Sequence, residues 1–363
     1  MIKSLFLGFV IIHATIHLRG FLQAFKIAEF SGLTLNITRA YGILWLCAAL
    51  LFFAVAISLL LKNGYWWKIA VVALILSQIL IFAFWHDAKF GLLPNLIVLL
   101  AVILSLGSLC FERSYKEEAL SSLQQITPTA IVTEAELREL PQPLQKYLHY
   151  VGVVGKPKVR ALRVVLSGEM RQKGKDYFPF IAEQYNFYDE PTRLFFMKAR
   201  IMGITVPGYH RYRDGKARMD VRLFGLVAVA SHEGEKMDAA DTVTLFNDMC
   251  LFAPATLLDK RITWKPIDEM TVKAIFTNRN ITISAILHFN GAGQLINFVS
   301  EDRWDVAAMK RYRFSTPISK YRSFKGYNLP AYGEAVWHYP DGDFTYGRIE
   351  INNVEYNEEV ASP

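Results

Sequence analysis

Cysteine is scarce in this sequence, and the common catalytic signatures are missing. The 363 residues include three cysteines, Cys47, Cys110 and Cys250, which is too few for a disulfide framework or a cysteine-based metal cluster. The chain also lacks the GxSxG, HExxH, phosphate-loop and dinucleotide-binding patterns that mark several large classes of enzyme. These absences favour a protein that is not an enzyme, and the sequence identifies no cofactor.

Charge is nearly absent from residues 1–112, which hold seven basic and three acidic side chains. This part contains four apolar runs, at residues 5–25, 40–61, 66–85 and 92–111. Each run is close to the ~20 residues that a helix needs to cross the hydrocarbon core of a bilayer. The runs are apolar on every side, as contact with lipid requires. They are therefore predicted to form a four-helix transmembrane bundle.

The rest of the chain is close to neutral, with 33 basic and 30 acidic residues. A nucleic-acid-binding domain usually carries a strong positive charge, so nucleic acid is not an expected partner. The four apolar runs make membrane lipids the expected partners. The sequence identifies no protein partner.

Basic residues near the ends of the runs number five on the side that holds both termini and three or four on the other. The protein is predicted to be a multi-pass protein of the inner (cytoplasmic) membrane, and the positive-inside rule predicts that its soluble domain lies in the cytoplasm.

Four polar side chains in or beside the apolar runs raise the question of a metal site. His13 and His17 are four residues apart, which places them on one face of a helix, and His86 and Asp87 lie where the third run ends. Together they are candidate ligands for a metal or haem iron, or members of a proton relay. Alternatively, they form hydrogen bonds between helices and at the membrane surface, and we favour this structural role.

After a predicted linker helix at residues 113–140, the pattern changes to short β-branched and aromatic runs separated by turn residues. Asp214-Gly215 is typical of a tight β-hairpin. Residues 141–363 are therefore predicted to form a soluble antiparallel β domain with a helical insert near residues 239–258. The predicted fold is a four-helix transmembrane bundle plus a mainly β (α+β) domain, in which a large curved antiparallel sheet or half-barrel packs around the helix.

Several polar residues at strand positions, and one aromatic residue of the insert, are candidates for binding a ligand. An arginine on a strand could hold an anionic group, and the apolar stripe of the insert could contact an apolar one. Most charges on strands point to water or pair with a neighbouring strand, so none of these residues is assigned a catalytic role. The candidates are Arg171, Gln184, Phe246, Arg303 and Arg311.

Five stretches of the soluble part resemble a bacterial domain family of unknown function: LPQPLQKYLHYVGVVGKP, GEMRQ, PFIAEQ, SEDRWD and FTYGRIEINNVEYN. The resemblance covers nearly the whole soluble part and brings no established activity with it. It implies an architecture similar to the half-barrel of lipoprotein carriers, which hold acyl chains between a curved sheet and a helical lid. The four-span part is similar, in span count and polar ends, to small bacterial membrane modules linked with redox and quinone biology.

Three functional hypotheses follow. The one that we favour is a membrane-anchored protein whose β domain binds a lipid-like or other apolar ligand near the bilayer. The second is a membrane-bound redox or metal-dependent enzyme that uses the intramembrane histidine and aspartate cluster. The third is a membrane scaffold that docks a protein partner along an exposed strand edge. A tunnel between the sheet and the helical insert would favour the first hypothesis.

Overall fold

The computed structural model describes residues 2–123 and 130–357. The chain divides into two compact units, Met1–Leu109 and Cys110–Pro363. The middle of the predicted linker, residues 124–129, lies outside the described residues. Each unit has its own buried apolar core.

Long apolar helices make up the first unit. They are α1 (Ile2–Ala24), α2 (Arg39–Leu60), α3 (Trp66–Ala83), the short α4 (Trp85–Ala88), a 3₁₀ turn (Lys89–Gly91) and α5 (Leu92–Leu123), whose last residues belong to the second unit. Four helical stretches are long and apolar enough to cross a membrane. The prediction of four transmembrane helices is confirmed on these grounds, and the chain is a membrane protein.

Small residues allow α1 and α2 to approach closely. A Cβ atom at Gly20 would lie 2.4 Å from the ring of Trp45, and a Cβ atom at Gly42 would lie 2.4 Å from the Cβ of Ala24. Ala48 is fully buried. Lipid tails are as apolar as the helices, so helices associate in a membrane mainly through van der Waals packing. The glycines therefore stabilise the helix pair by leaving room for the side chains of Trp45 and Ala24 on the facing helix.

The second unit contains the remaining helices and all of the described strands. Its helices are α6 (Glu134–Leu137), α7 (Gln142–Val151) and α8 (Glu235–Phe252), which a 3₁₀ helix (Pro254–Leu258) follows. Its first strands are β1 (Ala161–Met170), β2 (Phe178–Phe187), β3 (Thr192–Ile201), β4 (Ile204–Arg213), β5 (Lys216–Leu223) and β6 (Val227–Glu233). After α8 come β7 (Ile262–Asp268), β8 (Thr271–Asn278), β9 (Ile281–Phe289), β10 (Leu295–Ser300), β11 (Trp304–Asp305), β12 (Lys310–Arg311), β13 (Arg313–Phe324), β14 (Tyr327–Tyr339) and β15 (Gly342–Tyr356).

Thirteen of these strands form one antiparallel sheet in the order β6-β5-β4-β3-β2-β1-β15-β14-β13-β10-β9-β8-β7. Strands β1 to β6 run outward from the middle as consecutive hairpins, and β7 to β15 return from the opposite edge. The first and last strands therefore pair in the middle, where Val164 lies opposite Val354. Within the described ranges β6 and β7 are the edges of the sheet, so the sheet does not close into a barrel.

The helix α8 shows that the sheet is curved, because it contacts strands near both edges and in the middle. It packs against β5 and β6, against β14, and against β9. Strands β5 and β9 are nine places apart in the sheet order, which corresponds to about 43 Å along a flat sheet. A helix is about 10–12 Å wide with its side chains, and the 18 residues of α8 are only about 27 Å long. The sheet must therefore wrap around α8, which confirms the predicted fold class of a large curved antiparallel sheet around a helix.

The last residues of α5, 110–123, pack on the opposite, convex face of the sheet. Tyr115 is fully buried there, its ring stacks on Phe196 with the centroids 5.2 Å apart, and its hydroxyl donates a hydrogen bond to the backbone oxygen of Glu183 at 3.0 Å. Leu194 of β3 belongs to the same cluster. The sheet is thus covered by a helix on both faces at strands β2 to β4.

Candidate functional site

A cavity of about 210 Å³ lies between the concave face of the sheet and α8. One water molecule needs roughly 10–15 Å³ of such space, so the cavity has room for a substantial part of a ligand. The alternation of side chains along β3 explains how the wall is built. Arg193, Phe195 and Met197 face the cavity, whereas Leu194 and Phe196 face the end of α5.

Most of the cavity wall is apolar. Strands β1, β2, β3 and β5 and the helix α8 contribute residues that include Leu166, Met170, Phe180, Met197, Met219 and Leu251. Three of these are methionines, whose unbranched and polarisable side chains adapt to irregular shapes. The wall is therefore suited to contact with a flexible alkyl chain.

A polar cluster on α8 and the neighbouring strands forms one part of the wall. The carboxylate of Asp248 is buried, and its Oδ2 accepts hydrogen bonds from Arg193 Nε at 2.8 Å, Gln184 Nε2 at 2.8 Å and Asn186 Nδ2 at 3.3 Å. A buried charge is costly unless it is paired and hydrogen-bonded. The contacts satisfy both conditions, so α8 can carry an aspartate at the centre of the domain.

Burial raises the pKa of the Asp248 carboxyl above its ordinary value, because the charged form is poorly solvated inside the domain. Arg193 and the two amides act in the opposite direction, since they stabilise the carboxylate. When both members of the ion pair are charged, this cluster of Asp248, Arg193 and the two amides carries no net charge. It presents hydrogen-bonding groups rather than an unbalanced positive or negative site.

Three buried polar atoms beside this ion pair have no hydrogen-bond partner in the described part of the chain. They are Gln184 Oε1, Arg193 Nη1 and Asn247 Oδ1, and all three residues line the cavity. The amide nitrogen of Asn247 does have a partner, the hydroxyl of Thr316 at 2.8 Å. A buried polar group without a partner costs about 1–3 kcal/mol. This part of the cavity is therefore suited to a group that supplies hydrogen bonds.

A second cationic side chain, Arg303, is held at the cavity wall by aromatic rings. Its guanidinium lies 3.9 Å from the ring centroid of Phe314 and 5.0 Å from that of Trp337, and its Nη1 donates a hydrogen bond to the hydroxyl of Tyr346 at 2.8 Å. Aromatic faces attract cations, which stabilises this position. Arg303, Phe314 and Tyr346 all line the cavity.

Of the five residues predicted to bind a ligand, the structure brings Gln184 and Arg303 to the cavity wall. Phe246 is fully buried in the core between α8 and the sheet, where its ring stacks on a phenylalanine of β8. Arg171 lies just after β1 against two aromatic rings, and Arg311 is exposed on β12 over a tryptophan ring. These three do not contribute to the cavity wall as the structure describes it. The roles of all five in ligand binding stay predictions.

Sequence reasoning missed Arg193, Asn247 and Asp248. A signal for two of them was present, since Asn247-Asp248 interrupts the apolar stretch LFNDMCLF of the predicted insert. A charged residue in a helix that packs inside a sheet needs a buried partner. Arg193 offered no comparable signal, because arginine on a strand usually faces water.

In the first unit, His13 and His17 form hydrogen bonds between helices. His13 Nε2 lies 2.9 Å from Asn95 Oδ1, and His17 Nε2 lies 2.9 Å from Ser77 Oγ. The two imidazole rings are 4.6 Å apart, and both pack on Phe52. These contacts connect α1 with α3 and α5, as the structural interpretation requires.

His86 and Asp87 have different partners. Asp87 accepts hydrogen bonds from the backbone nitrogens of Thr34 and Leu35, at 2.7 and 2.8 Å, and from His86 Nδ1 at 2.9 Å. These hydrogen bonds connect α4 with the loop that precedes α2.

Across residues 2–123 and 130–357, no group of three or more His, Cys, Asp or Glu side chains is arranged to hold a metal ion. The metal hypothesis for these residues stays a prediction.

Two features define the class of protein: four membrane-spanning helices and, in the same chain, an open sheet that wraps a helix and leaves a cavity. The class is a membrane protein with a cavity-containing β domain. Residues 130–349 match the family of unknown function DUF6544, and the chain belongs to that family. The predicted resemblance to a family of unknown function is thereby confirmed. No curated protein matches the chain.

Among solved structures, the chain is similar to the crystal structure of the LolA superfamily protein NE2245 from Nitrosomonas europaea. The alignment covers 62% of this chain and 94% of that one, at 7% sequence identity and a TM-score of 0.36. At a similarity this low, neither fold nor function is inferred from the match.

Proposed function

We propose that the β domain binds a lipid-like amphiphile whose alkyl chain occupies the cavity between the sheet and α8. The observation that supports this most directly is the cavity itself, because the interior of a domain is normally filled by its own side chains. A cavity of about 210 Å³ with a mostly apolar wall is a favourable environment for an alkyl chain.

The energetic argument rests on the methylene groups of such a chain. Each buried methylene contributes about 0.8 kcal/mol, so burying six of them would contribute roughly 5 kcal/mol before the costs of ordering the chain. The methionines Met170, Met197 and Met219 can move to accept chains of different shape. We expect broad selectivity for the alkyl part of the ligand.

The membrane in which the protein is anchored would be the source of the ligand. We propose the bacterial inner membrane, with the β domain on the cytoplasmic side, from the slight excess of basic residues next to the spans on that side. Protease treatment of right-side-out vesicles tests the orientation. Protection of the β domain supports a cytoplasmic position, and cleavage contradicts it.

Photolabelling of the full-length protein tests the binding itself. The protein is placed in lipid nanodiscs with a long-chain alcohol that carries a photoreactive diazirine in its chain, and labelled peptides are mapped by mass spectrometry. Label on the spans serves as an internal reference for the concentration of probe in the bilayer. We expect label on cavity residues such as Met197 and Leu251. Label confined to the spans would contradict the proposal.

A further inference from the structure

We propose that the cavity selects amphiphiles with an uncharged head group that both donates and accepts a hydrogen bond, such as an alcohol. This inference rests on the proposed function and adds to it the chemical class of the head group. It follows from the charge balance and from the unpaired atoms around Asp248.

Beside Asp248, the charge balance argues against an ionic head group. Arg193 belongs to this part of the wall, and Asp248 already compensates its charge at 2.8 Å. A carboxylate or phosphate bound here would bring a second negative charge beside Asp248. An ammonium group would meet Arg193 in the same way. In a site with little solvent, either repulsion is strong.

The unpaired atoms specify the hydrogen bonds that a ligand must make. Gln184 Nε2 donates to Asp248 Oδ2 at 2.8 Å and to Asn186 Oδ1 at 3.0 Å, so both of its hydrogens are used. Rotating the amide would point its oxygen at two acceptors, so Gln184 Oε1 is fixed as a free acceptor. Arg193 Nη1 can only donate, because a guanidinium has no acceptor.

A hydroxyl group meets both requirements. It can donate its hydrogen to Gln184 Oε1 and accept one from Arg193 Nη1, and both of these side chains bond to the same oxygen of Asp248. A carboxylate can accept from Arg193 but has no hydrogen for Gln184. A methyl ether has the same limitation without the charge. Satisfying a buried group that is otherwise unpaired is the strongest source of such discrimination.

The test compares three photoreactive probes with the same alkyl chain, ending in an alcohol, a methyl ether or a carboxylate. Full-length protein in nanodiscs is labelled at a pH high enough to ionise the carboxylate in the bilayer, and cavity label is divided by label on the spans. We expect the alcohol to exceed each of the other two probes about tenfold. Equal cavity labelling by all three would overturn the head-group inference and leave the proposed function standing. Cavity labelling by none would overturn the proposed function.

A substitution then tests the role of the charge balance. Asp248→Asn leaves Arg193 uncompensated, so the preference should change from the alcohol to the carboxylate. Asparagine has nearly the same shape as aspartate, and thermal unfolding checks that the variant is folded. A folded variant that still prefers the alcohol by the same factor would overturn the inference. If this variant fails to fold, the three-probe comparison on the unmodified protein decides the question alone.

Discussion

Gly208 offers a way to fill the cavity without altering its polar part. It lies in β4 between Met197 of β3 and Val221 of β5, and all three residues line the cavity. A Cβ atom at this position would lie 3.5 Å from Val221 Cγ2 and 4.0 Å from Met197 Cε, which is ordinary contact. Gly208→Phe should therefore place its ring in the cavity, with Met197 adjusting to it.

The expected loss of binding can be worked from the volume that the ring takes. If the ring displaces about four methylene groups of the bound chain, at about 0.8 kcal/mol each, binding weakens by roughly 3 kcal/mol, or more than 100-fold. The stability of the domain should be unchanged or higher, because glycine inside a strand is destabilising by roughly 0.5–1 kcal/mol relative to alanine and the ring buries further apolar surface.

Concentration-dependent photolabelling with the alcohol probe measures the binding, and thermal unfolding measures the stability. Gly208→Ala is the matched control, since it adds the Cβ atom and leaves the cavity open, and its labelling should equal that of the unmodified protein. Unchanged cavity labelling in a folded Gly208→Phe variant would refute the reasoning. So would an equal loss of labelling in Gly208→Ala.

Three further predictions concern stability. Lys158 at 2.5 Å holds the pKa of Glu136 at about 2, so the carboxylate stabilises the fold at any pH above the ordinary pKa of glutamate, and this contribution is lost as the pH falls from about 5 to 2. Glu136→Gln should therefore lower the free energy of unfolding by about 1 kcal/mol at pH 7. It should also flatten this part of the pH-stability curve, which denaturant unfolding measures. Tyr115→Ala removes a fully buried ring and should destabilise the second unit by about 3–5 kcal/mol. Tyr115→Phe removes only the hydroxyl and its hydrogen bond and should destabilise it by about 1 kcal/mol. Similar melting temperatures for the two variants would contradict this. Asn95→Leu removes the partner of His13 and should lower stability in detergent by about 0.6–2 kcal/mol. Metal analysis before and after the change separates this structural role from metal binding. If His13 binds a metal, the unmodified protein should contain the metal and the variant should release it.

The membrane helices and the hairpins were predictable because their signals are local. A run of about 20 apolar residues predicts a span from its own composition, and the Asp214-Gly215 turn predicts that β4 and β5 pair. The pairing of β1 with β15 had no such signal. It brings Val164 next to Val354, which are 190 positions apart in the chain, and it depends on the whole sheet returning to its starting strand.

The candidate site was less predictable, because alternation along a strand tells which residues share a face but not what covers that face. Gln184 and Arg303 lie on the face that α8 leaves partly open. Phe246 is on the correct helix, but it packs in the core because α8 is buried on nearly all sides. The central ion pair joins Arg193 and Asp248 from distant elements, and a single sequence gives no direct sign of such a partnership.

A density map of the full-length protein in lipid nanodiscs, at a resolution that shows side chains and alkyl chains, tests the central claim most directly. The account predicts an elongated density between the sheet and α8, with one end beside Arg193 and Gln184. A cavity closed by the inward collapse of Met170, Met197 and Met219, with no elongated density, would contradict it.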